Sequence, residues 1–348
     1  MCRKIISAIA FIFSIGLGGG LIFALLNKVG LTKITVMLEQ ISWPTLALAV
    51  AIYAGSWLFR TWRLACFTTK QVIGTDRLFR IQIAGFAMNA VLPIKLGDAL
   101  ILLGLHLTNI SIGRATAIVV QLRILDLFAI LIATAPLAFA EIRLGIPEWI
   151  KHIVFIFGII ACLPLLFTLL IRFVNLNVFL ERRVLKIHYP FLRFFMFKLI
   201  DACSAYFETI SQGRLFIKTA GLSCMIWLME GLTTSVIALA MNVEAPLSFI
   251  LPAMALANLG KAAPVTPGGI GVYESIMALI LMLGGVPLEH AIPVAICDHL
   301  LKKTFTICLG LPSIPALLGP HWQNNLKSVY VKLKQLKKNE TSPNGPYY

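Results

Sequence analysis

Several apolar runs in this chain approach the ~20 residues that a helix needs to cross a bilayer, and no other feature limits its fold as strongly. Backbone N–H and C=O groups in hydrocarbon must be satisfied within the structure, so helices are the expected element throughout. Of 348 residues, 59% are hydrophobic and 13% charged. A soluble domain is usually about 25% charged. The pattern predicts an all-α polytopic membrane protein. One membrane domain occupies residues 1–320, and a basic cytoplasmic tail with five lysines occupies 321–348.

The formal net charge of +15 does not point to nucleic acid. Most Lys and Arg sit in short connections between apolar runs, which is the pattern of cytoplasmic loops. The seven cysteines form no CxxC pair, and most lie inside apolar runs as small buried side chains. The six histidines lack metal-ligand spacing. No metal and no cofactor are expected.

Taken in order, Arg3 and Lys4 precede an apolar run over 5–26. It is longer than the ~7–15 residues of a signal-peptide core, so it reads as a retained first span with its N-terminus in the cytoplasm. Gly16, Gly18, Gly19 and Gly20 give it a small-residue face. A second span over 44–65 ends at Arg60, Trp62 and Arg63, read as an interfacial anchor. Further full spans are expected at 115–140, 152–173, 217–241 and 291–317. Residues 172–218 form the largest polar segment, with a surface-lying helix expected at 191–212.

Two stretches break this regularity. In the first, an apolar run over 84–92 is cut by Pro93 and followed by Lys95, Gly97 and Asp98 before a second short run over 99–107. In the second, residues 247–263 lead to Pro267, Gly268, Gly269, Gly271 and Glu274, then to apolar residues 275–285. Pro and Gly interrupt helices, and a carboxylate at bilayer depth needs a partner or a task. Each stretch reads as a re-entrant broken-helix hairpin. The chain then has about six full transmembrane helices plus two hairpins, or eight or more crossings if each anomaly crosses twice.

The two anomalies match in order. The first reads Asn89, Pro93, Gly97, Asp98, a short helix, a polar turn, then a span with Arg123 and Asp126. The second reads Asn258, Pro264, Gly268, Gly271, Glu274, a short helix, a turn, then a span with Asp298 and His299. If both anomalies are hairpins, the six full spans place the first on the cytoplasmic side and the second on the outer side, so units 44–140 and 217–317 are expected to be inverted copies. Inverted repeats with broken helices meeting near the midplane are a transporter arrangement.

Helix starts near Gly97 and Gly268 expose N–H groups and positive dipole ends, a setting for an anion such as a lipid phosphate. Lys95, Lys261 and Arg123 can add positive charge. Asp98 and Glu274 can pair with cations or accept protons. Plainer roles stand beside these. Asp98 can cap its helix, and Glu274 can stabilise a first turn. Arg123–Asp126 can be a structural ion pair, Asp298–Lys302 an i,i+4 pair, and the glycines a close-packing device.

With these residues in view, the chain resembles the lysylphosphatidylglycerol synthase transmembrane, or flippase-like, family. Pro267, Gly268, Gly269, Ile270, Gly271 and Glu274 look like its signature, and Asn89, Leu92, Pro93, Leu96, Gly97 and Asp98, followed by Arg123 and Asp126, look like its first block. The resemblance covers roughly residues 5–317. It implies a multispanning inner-membrane protein of the kind that translocates an aminoacylated phospholipid, here without the soluble aminoacyl transferase domain. The chain departs from the pattern at residues 99–102, which are apolar where many members carry an Arg. It departs again in the last span, where Asp298, His299, Lys302 and Lys303 stand in place of an Arg. Both positions bear on the headgroup.

The expected function is therefore an integral membrane lipid translocase for a phospholipid or polyprenyl-phosphate-linked lipid, more a transporter than an enzyme. The expected partners are an anionic or phosphate-bearing membrane lipid, and either a second copy of the chain or a lipid-biosynthesis enzyme. The alternatives are an integral glycosyl- or aminoacyl-lipid transferase, or a non-catalytic subunit of a lipid-modifying complex. Localisation is expected in the cytoplasmic membrane with both termini inside. The expected substrate-binding residues are Asn89, Pro93, Lys95, Gly97, Asp98, Arg123, Asp126, Asn258, Lys261, Pro267, Gly268, Gly269, Gly271, Glu274, Asp298 and Lys302.

Overall fold

The structure, a computed structural model, describes residues 39–68, 72–92, 96–144, 213–261 and 266–318, with isolated positions between 16 and 27 and at 159. The expected spans at 5–26 and 152–173, the surface helix at 191–212 and the tail lie outside the described residues. The described chain is helical, with no strand: α1 (Trp43–Phe67), α2 (Thr75–Val91), α3 (Leu96–His106), α4 (Ile112–Leu144), α5 (Gly213–Ala240), α6 (Leu247–Gly260), a 3-10 turn at Pro267–Gly269, α7 (Val272–Leu283) and α8 (Leu288–Leu318). Two stretches, Ile112–Leu137 and Gly213–Ala240, are long and apolar enough to cross a membrane.

Local chemistry sets the boundaries. Pro44 sits in the first turn of α1, where its missing N–H has no partner to lose. α2 stops at Leu92, whose ψ of 142° is extended, because the following proline disfavours the helical region. α2 nevertheless begins at Thr75, earlier than the apolar run predicts, and so takes in Arg77 and Arg80. Arg80 pairs with Asp76 one turn back on the exposed face, which lets a polar first half remain helical.

α2 and α3 form one antiparallel hairpin, α6 and α7 another. The first closes to backbone contact, where a Cβ at Gly97 would collide with the Gly85 carbonyl. Helix packing is unchanged when α1–α4 are exchanged for α5–α8. α1 packs against α5, α2 against α8 and α6 against α4, while each hairpin packs on the long helix that follows it. α1 and α5 run antiparallel: Ser42 N–H donates to the Ala240 carbonyl, and Arg63 at the other end of α1 meets Ser223 near the start of α5.

The correspondence holds in register. α3 and α7 begin at Leu96 and Val272, and α4 and α8 at Ile112 and Leu288. A left-handed residue precedes each long helix, Asn109 at φ 64° and Gly285 at φ 87°. A proline lies inside each, Pro136 and Pro312. One constant offset relates all four pairs.

The apolar core is divided. One cluster gathers Ala49, Ile237, Tyr273, Met277 and Ala295 around the α6–α7 hairpin. A second gathers Leu64, Ile81, Ile101, Leu125 and Leu317 around the α2–α3 hairpin. Along α1, α4, α5 and α8 the buried charged residues fall between these clusters.

Candidate functional site

The first charged group is built on α1 and α4. Arg63 donates to Asp126 at 2.7 Å and to Ser223 at 2.8 Å. Arg123 pairs with Asp98 at the start of α3 and reaches Asp126 at 3.4 Å. Asn89 on α2 closes the set, donating to Asp98 at 3.3 Å and accepting from the Gly97 N–H at 2.7 Å. Five of the expected site residues are thus together: Asn89, Gly97, Asp98, Arg123 and Asp126. Asp98 is an ion-pair partner of the following long helix.

The second group joins α1, α5, α7 and α8. Arg60 pairs with Glu230, and the Lys302 ammonium lies 3.8 Å from the same carboxylate and 2.9 Å from Asp298. Thr234 donates to Asp298 at 2.7 Å, and the Tyr273 hydroxyl donates to its other oxygen at 2.6 Å. The i,i+4 pair of Asp298 with Lys302 is present, and Glu230 ties it to α1.

The residues read as an interfacial anchor are turned inward instead. Arg60 and Arg63 are 4% and 1% exposed, whereas Trp62 is 51% exposed. Positions 60 and 63 share one helical face and Trp62 does not. That shared face meets Glu230 and Asp126. The Arg60 guanidinium also lies 5.5 Å from the Trp57 ring and 5.0 Å from that of Phe86, both favourable for a cation.

The glycine break forms a third group. Gly268, Gly269 and Gly271 take φ of 57°, 75° and 83°, a run of left-handed backbone that other residues rarely adopt. Gly269 N–H donates to the Thr266 carbonyl at 3.0 Å. Glu274 accepts from the Gly271 N–H at 2.7 Å and from His299 Nδ1 at 2.6 Å, so it both closes its own first turn and pins α8. A Cβ at Gly268 would collide with the Ala90 carbonyl and the Lys303 ammonium, and one at Gly269 with the Lys261 side chain. The end of α2 therefore touches the turn that leads into α7, and two lysines flank that turn. The Lys261 ammonium lies 4.4 Å from the Tyr273 ring centroid.

The three groups thus hold most of the expected site. Pro267 lies in the turn itself. Asn258 is turned back onto its own helix, donating to the Met254 carbonyl at 2.9 Å. Pro93 and Lys95 lie outside the described residues. Glu230, Arg60 and Lys303 are additions. A lone carboxylate in the apolar run over 213–240 was the signal for Glu230. Among the described residues, no group of three or more His, Cys, Asp or Glu is placed to hold a metal.

The three groups repeat the helix correspondence. Asp98 pairs with Arg123, and Glu274 with His299, each across 25 residues. Asp126 and Lys302, three residues beyond, take up Arg63 and Glu230. The first two pairs keep the carboxylate at the same equivalent position, whereas the Asp126–Arg63 and Lys302–Glu230 pairs have opposite polarity.

Comparison with known proteins gives concordant matches. The family described as the lysylphosphatidylglycerol synthase TM region matches residues 8–310. A membrane protein of Methanothermobacter thermautotrophicus, named UPF0104, is 26% identical over 83% of this chain and 88% of its own length. A UPF0104 membrane protein of Methanocaldococcus jannaschii is 27% identical over 64% of this chain and 91% of its own. The glycosyltransferase AglD of Haloferax volcanii is 30% identical over 32% of this chain and 19% of its own.

Proposed function

Since the chain belongs to the lysylphosphatidylglycerol synthase transmembrane-region family, and is thus a membrane protein, we propose that it is a lipid translocase of the cytoplasmic membrane. Its cargo is a phospholipid or a polyprenyl-phosphate-linked lipid, and both chain ends lie in the cytoplasm. Units 44–140 and 217–317 act as inverted repeats, and a site at the meeting of the two breaks is exposed alternately to the two faces. The observation that carries this reading is the contact of Gly268 with the Ala90 carbonyl. It brings two broken hairpins from opposite units together beside buried charge. The antiparallel course of α1 and α5 supports the inversion. The sequence carries no nucleotide-binding motif, so movement is passive or driven by an ion gradient.

The test is reconstitution into vesicles with labelled lipids of differing headgroup. Purified protein is expected to accelerate transfer of at least one lipid over empty vesicles, and Gly268→Val, which fills the meeting point, to abolish that acceleration. Transfer at the empty-vesicle rate for every lipid counts against the reading. A second reading, an integral lipid-linked transferase, is favoured by the similarity to a glycosyltransferase over 118 residues. Product formed from a lipid acceptor and an activated donor by the purified protein supports that reading instead.

A further inference from the structure

The charges around the two breaks do not balance, and the excess lies at one of them. Four interior carboxylates of the described helices have a cationic partner, Asp98 with Arg123, Asp126 with Arg63, Glu230 with Arg60 and Asp298 with Lys302, and Glu274 is held by hydrogen bonds from the His299 ring and the Gly271 N–H. Lys261 and Lys303 remain, and neither has an ion-pair partner among the described residues. Both border the 268–269 turn. The connecting segments 93–95 and 262–265 contain no carboxylate in their sequence. Two half-buried ammonium groups without a direct ion-pair partner among the described residues are costly.

Polar groups at the same break are also unspent. Thr266 is 3% exposed, and its hydroxyl has no hydrogen-bond partner. His299, also 3% exposed, gives Nδ1 to Glu274 and leaves Nε2 without one. The equivalent break at Gly97 is closed, with Asn89, Asp98 and Arg123 satisfying one another. The duplicated architecture therefore holds one saturated break and one open, positively charged break.

We infer that the open break at residues 266–271, flanked by Lys261 and Lys303, binds a phosphate headgroup that carries no compensating ammonium. This inference rests on the reading of the chain as a lipid translocase and narrows its cargo. An aminoacylated headgroup needs a free carboxylate for its added amine, and each interior carboxylate among the described residues is already held, four by cations and Glu274 by two N–H donors. A phosphate needs cations and hydrogen-bond donors, and the Lys261 and Lys303 ammonium groups and the Thr266 hydroxyl are what remain.

Binding is measured separately from transport. The purified protein is placed in phosphatidylcholine nanodiscs doped with one probe lipid at a time, and the retained lipid is quantified after extraction. The probes are phosphatidate, a polyprenyl phosphate and lysylphosphatidylglycerol, with inorganic phosphate tested in detergent. The expected result is at least tenfold preference for phosphatidate or polyprenyl phosphate over lysylphosphatidylglycerol. Lys303→Gln and Lys261→Gln each reduce it about tenfold, the scale of one charge-assisted contact, and Lys303→Arg restores it. The two anionic lipids distinguish a glycerolipid from a polyprenyl source, and binding of inorganic phosphate alone assigns the same chemistry to a soluble anion. Equal or tighter retention of lysylphosphatidylglycerol overturns the inference, as does wild-type retention in both lysine variants with unchanged thermal unfolding. Selective retention without lipid movement in vesicles upholds the headgroup class and overturns the translocase reading.

Discussion

Glu230 bridges cations on two different helices. It is 6% exposed, and its carboxylate faces Arg60 and Lys302. Removing one member of a buried pair leaves a desolvated charge and costs about 3–5 kcal/mol. Glu230→Leu is expected to destabilise by that amount, read as a lowered unfolding midpoint in detergent. The double change Arg60→Met, Glu230→Leu removes that pair while Lys302 keeps Asp298, and is expected to recover most of the loss. A double variant less stable than the single one would show that the pair contributes more than its mutual compensation. The sequence could not give these partners. It shows that Arg60 and Arg63 lie three apart, but whether that face meets lipid headgroups or a carboxylate on α5 depends on which helices become neighbours. Asp98 and Glu274 were legible because a carboxylate beside a glycine break has few ordinary explanations. Lys302 and Lys303 are adjacent and chemically alike, and only the rotation of α8 separates the paired lysine from the unpaired one.

The helical hairpin is the element in which backbone geometry, more than side-chain choice, carries the fold. α2 and α3 approach until Gly97 and the Gly85 carbonyl leave no room for a methyl group. Gly97→Ala must displace backbone on one side or the other, and overpacking of this kind costs about 1–3 kcal/mol. The expected signature is local. Amide exchange speeds up across α2 and α3, while α6 and α7 keep wild-type protection. Uniform loss of protection in both hairpins would mean that they unfold as one unit. Both breaks were readable in advance because proline and glycine act on the residues beside them, as Pro93 does on Leu92. The length of α2 was less legible. Its Thr75–Arg80 half is polar on the surface and helical through a local ion pair, so apolar content underestimates it.

At the scale of the molecule, the repeat-equivalent turns before α4 and α8 provide a direct test of inversion. Ser111 and Pro287 occupy corresponding positions, and both are exposed. With the seven native cysteines replaced, Ser111→Cys and Pro287→Cys are expected to react with a membrane-impermeant maleimide from opposite sides of oriented vesicles. Labelling of both from one side would exclude inverted units. The order of features along the chain already suggested the duplication. The constant offset and the antiparallel course of α1 and α5 are three-dimensional facts that a weakly similar pair of segments could not supply.

The reversed polarity of the Arg63–Asp126 and Glu230–Lys302 pairs has a consequence for assembly. α1 presents Arg60 and Arg63 where α5 presents Ser223 and Glu230. Pairing α1 with a second α1 would set guanidinium against guanidinium, and pairing α5 with a second α5 would oppose two carboxylates. Each half is therefore a poor mate for its own duplicate and a good one for the other half. A duplicated chain whose halves were interchangeable could exchange them between molecules. Here the charge pattern favours pairing α1 with α5 over pairing either helix with its own copy.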